Sequence, residues 1–176
     1  ILWFTVFANM LKYNDAKTNL ETGEFEIAVT MFTELGDYND APNMAKESKY
    51  QYAKSLTESK SFEEALALYD EIPDYRDVPE CRKECIYQQA LWLFEEEEEY
   101  PQGYDLCKEL GDYKDCPELL LEYAYEAGEE NYKDGNFNAA KEQFLLVKDQ
   151  DGAAEYLENL DILIPYQGTW KEPKRN

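Results

Sequence analysis

Thirty-nine Asp and Glu residues, 15 tyrosines and four cysteines carry the chemistry open to this 176-residue chain, which has no histidine. The commonest general base near neutral pH and the commonest metal ligand are therefore missing, and catalysis would have to rest on carboxylates, Lys, Tyr or Cys. Cys81 and Cys85 stand four apart and Cys107 and Cys116 follow, which sketches a four-thiolate zinc site. Structural zinc pairs are normally spaced more tightly. Each cysteine also falls at a position that another stretch of the chain fills with Met44, Ser48, Phe32 or Ala41, so a small buried hydrophobe is the stronger reading. Asp149, Asp151, Gly152 and Glu158 match four positions of a calcium-binding EF-hand loop, but Val147 stands where the first ligand belongs, and a helix start at Asp151 accounts for the same residues. Glu95 to Glu99 is a run of five carboxylates that repel one another; a solvated turn is expected, with docking of a basic partner as the functional alternative. No carboxylate pair stands out as an acid and base for glycoside chemistry. The reading is a non-enzymatic chain with no cofactor and no metal.

The charge balance narrows the partners. Seventeen Lys and Arg against 39 acids leave a formal net charge of -22, which repels nucleic acid and anionic lipid head groups. Basic proteins and neutral peptides remain. With 44% hydrophobic and 15% aromatic residues the chain can still bury a core and is not a disordered acidic tail. Four scattered cysteines suit a reducing cytoplasm without requiring one.

Any such surface has to be positioned by elements, and the elements repeat. Tyr13-x-x-Ala16, Tyr50-x-x-Ala53, Tyr87-x-x-Ala90 and Tyr125-x-x-Gly128 place one tyrosine at intervals of 37, 37 and 38 residues. After each comes an apolar stripe at offsets 0, 3, 7 and 10: Phe25, Ala28, Phe32, Leu35, then the sets beginning at Phe62, Tyr100 and Phe137. Those offsets fall on one face of an α-helix. Gly36-Asp37-Tyr38-Asn39-Asp40, Pro73-Asp74-Tyr75-Arg76-Asp77 and Gly111-Asp112-Tyr113-Lys114-Asp115 then stop the helix with Gly or Pro. The next helix restarts at an aspartate followed by Pro in its first turn, which predicts Asp40, Asp77 and Asp115 as side-chain N-caps worth about 1 kcal/mol each. Long helices are expected near 41–59, 78–95 and 116–133, and short ones near 62–72, 100–110 and 137–147. Neither kind buries its stripe alone, so consecutive pairs must stack, and the expected fold is an all-α solenoid of about four helix-turn-helix repeats.

The aromatic-x-x-Ala helices, the Gly23-Glu24-Phe25 and Gly135-Asn136-Phe137 turns and the Ala-x-x-x-Phe stripes resemble tetratricopeptide repeats over roughly residues 10 to 150. The period exceeds the usual value of about 34, and Asp-Tyr-x-Asp replaces the usual proline-ended linker. The chain is therefore similar to the tetratricopeptide-like type seen in bacterial proteins with Gly-Asp-Tyr-x-Asp linkers. That resemblance implies protein or peptide binding on a concave face and no catalysis, in the cytoplasm or tethered to a membrane.

A first helix falls near 4–22 by subtracting one period, placing Phe4, Phe7 and Leu11 on the slots of Ala41, Met44 and Ser48. The apolar stretch from Ile1 to Phe7 reads as core of that helix or as the end of a membrane-spanning one. Asp151 to Leu163 reads as a capping helix, so that 1–164 forms the repeat domain and 165–176 an extended tail or the start of another domain. For partner binding in the groove of the long helices the candidates are the recurring Tyr50, Tyr87 and Tyr125, which also fit packing between units. Lys54, Leu91, Phe94 and Tyr132, which vary between units, complete the set. The alternative is a spacer arm in a membrane-anchored multidomain protein, with no ligand of its own.

Overall fold

Alternating apolar stripes and Gly, Pro and Asp stops produce ten α-helices and no strand among the described residues of a computed structural model. It describes residues 2–166, with side chains over 6–165. The expected tail beyond Tyr166 and Ile1 lie outside that range; Ile164–Tyr166 forms a short 3-10 turn. No described helix is long and apolar enough to cross a membrane. Contacts divide the chain into two compact units, Ile1–Ile86 and Tyr87–Asn176.

In the first unit α1 (Leu2–Glu21), α2 (Phe25–Leu35), α3 (Ala41–Glu58) and α4 (Phe62–Asp70) pack in chain order. One core cluster joins Ala16 of α1, Ala28, Phe32 and Leu35 of α2 and Ala41 of α3. The unit ends inside α5 (Val78–Trp92). The pairs Lys12 with Glu34 and Lys49 with Glu71 repeat one exposed ion pair 37 residues apart, each contributing about 0–1 kcal/mol.

The second unit runs through the rest of α5 into α6 (Tyr100–Leu110), α7 (Cys116–Glu122), α8 (Ala124–Lys133), α9 (Phe137–Leu146) and α10 (Ala153–Leu163). Phe94, Tyr104, Cys107, Cys116, Leu119 and Ala127 share one core cluster, and Ala140, Phe144, Ala153 and Leu160 another.

Three expectations are corrected. The helix expected to reach residue 95 leaves α geometry at Leu93 and closes as a π turn over Leu93–Glu97. Glu24, Ser61 and Asn136 each return a backbone N–H to a carbonyl five residues back, whereas Glu99 reaches six back to Leu93 O at 2.9 Å. The π turn thus absorbs the one residue by which the third repeat exceeds the others. The long helix expected over 116–133 is interrupted at Tyr123, whose φ and ψ are -101° and 7°. Tyr123 occupies the slot of Ser48 and Cys85, both fully buried, and a phenol does not fit where a hydroxymethyl or thiol does. The ring instead stacks on Phe94 at 4.2 Å, and the helix bends to let it. Third, α10 begins at Ala153 with Gly152 before it at φ 93°, so Asp151 does not start that helix.

The turn inside each pair needs a left-handed residue, and Gly23, Lys60, Glu98 and Gly135 supply it at φ 85°, 63°, 56° and 79°. A side chain there is strained by about 1–2 kcal/mol. Gly103 and Gly128 serve a different need, since a Cβ on Gly103 would stand 2.7 Å from Phe94 and one on Gly128 3.0 Å from Phe144. Glu98→Gly is expected to raise stability by about 0.5–1 kcal/mol once the entropy of the added glycine is subtracted. Gly103→Ala is expected to lower it by about 1–3 kcal/mol through overpacking. Urea unfolding midpoints of the two variants check both signs.

Candidate interaction sites in the two units

The recurring tyrosines do not stand free. Tyr50 is 6% exposed, and its hydroxyl donates to Asp77 Oδ1 at 2.8 Å. In the second unit Tyr87, 7% exposed, donates to Asp115 Oδ1 at 2.6 Å. The linker positions both carboxylates by one recurring turn: Val78 N–H bonds Tyr75 O at 3.0 Å and Cys116 N–H bonds Tyr113 O at 3.1 Å. Asp40 and Asp115 make no side-chain cap bond, which corrects the N-cap expectation for them. Asp115 is held by the tyrosine of the preceding long helix instead, and its charge still lies at a helix N-terminus.

The variable linker residue completes the cluster. Arg76 and Lys114 sit at φ 48° and 49°, turning their side chains back over the rings. The Arg76 guanidinium lies 5.3 Å from the Tyr50 ring centre and 5.2 Å from that of Tyr75. Lys114 Nζ lies 4.5 Å from Tyr87 and 5.7 Å from Tyr113. The rings meet edge to face at 6.0 Å in both clusters. Arg76 also bridges to Glu47 at 2.6 Å, and the Tyr75 hydroxyl donates to the same carboxylate at 2.7 Å. The hydrogen bond from Tyr50 holds Asp77 below the usual carboxylate range. Burial first, then Asp77, pushes Tyr50 well above the usual phenol value.

Tyr125 shows what happens without the aspartate. Gly152 stands in the slot of Asp77 and Asp115, and a Cβ there would lie 2.6 Å from the Tyr125 hydroxyl oxygen. Tyr156 donates instead to Glu129 at 2.8 Å, and that bond, followed by burial, pushes it up to about 12. Tyr132 is half-buried against Tyr156 and Phe137 at 5.0 and 5.7 Å. Leu91 is half-buried against the second unit's core, and Phe94, 2% exposed, belongs to that core. Of the proposed contact residues Lys54 is the exposed one, its Nζ 5.4 Å from the Tyr50 ring centre. Tyr50, Tyr87 and Phe94 offer a partner little surface.

The cysteines lie inside the packing: Cys85, Cys107 and Cys116 are fully buried, and burial pushes their thiols up, Cys107 to about 12. Among the described residues no group of three or more Cys, Asp and Glu is placed to hold a metal. Glu95 to Glu99 are exposed on the π turn and its exit. Burial, with Glu99 close by, raises Glu130, and the neighbouring Glu126 has a buried Oε2 with no hydrogen-bond partner among the described residues.

One recess in the second unit was not foreseen. Asp105, Asn131, Asn136, Asn138 and Ala139 line an open hollow of about 400 Å³ between α6, α8 and α9. Asn131 is 7% exposed and donates to Gln143 Oε1 at 3.0 Å, while Asn136 donates to Asn131 Oδ1 at 3.1 Å. Asn131 shares its slot with Asn19, which donates to Met31 Sδ at 3.5 Å as Asn131 does to Gln143, but the intervening repeats carry Leu56 and Leu93 there, so the stripe pattern does not single it out. The spacing of 27 residues from Tyr50 to Asp77 and of 28 from Tyr87 to Asp115 is the available sequence signal for the other pairing.

Compared with protein-family models, curated proteins and solved structures, the chain matches none.

Tyr50→Phe keeps the ring and removes the hydroxyl, and is expected to cost about 1–2 kcal/mol at pH 7. Asp77 has a folded pKa below its unfolded one, so its contribution is present above the ordinary aspartate value and fades as pH falls through the folded value. The stability gap between parent and Tyr50→Phe should therefore narrow from pH 5 to about pH 2, as followed by urea unfolding across that range.

Proposed function

We propose that the chain is a non-enzymatic scaffold of the tetratricopeptide-like type, an α-solenoid of helix-turn-helix repeats that binds a protein or peptide. One observation carries this reading: the tyrosine that recurs at one slot in each repeat is engaged in packing within its repeat. Tyr50 with Asp77 and Tyr87 with Asp115 close the same clasp in two successive repeats. Such a division of labour suits a repeat protein, in which recurring positions serve packing and the remaining positions are left to recognition. The net charge of -22 favours a basic partner and would speed its approach. The recess beside Asp105 and Asn138 supports a peptide ligand, because carboxamides both donate to and accept from a peptide backbone, and Asp105 attracts a basic side chain.

The test is capture of partners by the immobilised chain at low and high salt, compared with an Asp105→Lys/Asn138→Lys variant. Both substituted residues are exposed, so the fold should persist. A protein retained by the parent, lost by the variant and weakened by salt is the expected result. Equal retention by both would move the site away from the recess, and no retention at either salt would leave the spacer reading in its place.

A further inference from the structure

Carboxamides that packing alone does not require line the recess between α6, α8 and α9. Asn136 donates to Asn131 Oδ1 at 3.1 Å and Asn131 donates to Gln143 Oε1 at 3.0 Å, so three side chains form one relay. Asn131 and Gln143 are 7% and 2% exposed. Counted from the helix tyrosine, Leu56 and Leu93 hold the slot of Asn131; counted from the start of the short helix, Met31, Leu68 and Leu106 hold that of Gln143. Apolar side chains thus serve both slots elsewhere in the chain, whereas a buried carboxamide has to be hydrogen-bonded to offset its desolvation. Turning all three amides over keeps both bonds and exchanges the donor and acceptor that the relay offers. It can therefore meet either the N–H or the C=O of a peptide group.

The flanking residues say what else the recess can hold. Asp105 is exposed and has no ion-pair partner among the described residues. Lys108 of α6 and Lys141 of α9 are held by Glu142 and Asp161, and the charge of Lys133 in α8 acts on Glu130. Asn138 and Ala139 line the recess from the first turn of α9, where the hydrogen bonds to preceding carbonyls begin at the Ala140 N–H and Asn136 makes no side-chain cap bond. The opening N–H groups of that turn are donors without a helical partner. The α6 side of the recess thus carries a carboxylate and the α9 side carries donors, with the relay beside them.

We propose, on the basis of the peptide-binding reading above, that the recess receives an arginine residue of the partner peptide, its guanidinium on Asp105 and its adjoining peptide group on the carboxamides and first turn of α9. The positive end of α9 opposes a cation placed on it and favours a carbonyl oxygen there, which assigns the guanidinium to the α6 side. An unpaired carboxylate suits the planar fork of a guanidinium better than the point charge of a lysine. An acidic residue is repelled by Asp105, and an apolar one would desolvate that carboxylate without pairing it. The hollow of about 400 Å³ has room for a side chain of this size.

The probes are three capped tripeptides, acetyl-Gly-Arg-Gly-amide and its lysine and citrulline counterparts, titrated into the isotope-labelled chain and followed by the side-chain amide resonances of Asn131, Asn136 and Asn138. Saturable shifts are expected with arginine, at least about tenfold tighter than with citrulline, which has the same shape and no charge, and tighter than with lysine. Asp105→Asn, which keeps the shape of the side chain, should remove the preference for arginine over citrulline. Asp112→Asn, at an exposed carboxylate outside the recess, should leave that preference intact. Equal binding of arginine and citrulline, a preference for lysine, or an arginine preference that survives Asp105→Asn overturns the arginine assignment and leaves the peptide reading standing. Absence of saturable shifts with all three peptides also overturns it. Partner capture lost in Asp105→Lys/Asn138→Lys would then keep the peptide reading, and capture retained by that variant would end both.

Discussion

A phenol hydroxyl bonded to an aspartate 27 or 28 residues further along the chain closes the helix pairs at Tyr50 and Tyr87. The bond joins a long helix to the start of the next one and encloses the short helix between them. It works only if the linker returns to the right place. That return depends on a residue in left-handed geometry, Arg76 or Lys114, and the same residue sets its cation over the tyrosine rings. Ring, carboxylate and cation thus constrain one another. A hydrogen bond to a charged acceptor contributes more than a neutral one, and part-burial protects it from water.

Two departures in and after the third repeat leave the closure of Tyr87 on Asp115 in place. An extra residue in the third repeat does not shift the clasp; it is taken up as a π turn that moves Glu98 into the left-handed slot filled by Gly23 and Gly135 elsewhere. A tyrosine in a slot sized for Ser48 or Cys85 bends its helix at Tyr123 and stacks on Phe94. Phe94 in turn crowds position 103, where an added Cβ would stand 2.7 Å from its ring. In each case a helix deforms locally while the pairing of long helix, short helix and linker persists. Deforming one helical turn costs less than exposing a shared core.

Closure also governs what chemistry remains available. Buried phenols and thiols are shifted away from reactive ionisation, Tyr69 and Tyr104 to about 12 with Cys107 beside them in value. Arg76 and Lys114, two of the 17 cations, are drawn onto the tyrosine rings. Exposed carboxylates, lysines and the apolar residues Val6, Phe7, Met10 and Leu11 of α1 remain at the surface.

The helices themselves were legible in the sequence because a stripe at offsets 0, 3, 7 and 10 followed by Gly or Pro admits one local solution. The positions of α2, α6 and α9 follow that signal closely. The partner of a side chain is not a local property. Asp115 reads as an N-cap from its neighbours, and only the arrival of Tyr87 from 28 residues away turns its carboxylate to another donor. Tyr50 and Tyr87 read as contact residues or, more strongly, as packing between units, and Phe94 as a contact residue; tertiary packing buries all three. The recess at Asn131 and the exposure of Phe7 likewise depend on which helix covers which. Periodicity determines what each segment becomes, because backbone hydrogen bonding and side-chain spacing act within a few residues. Tertiary packing decides which groups are used up and which are left facing a partner, because burial depends on segments far apart in the chain.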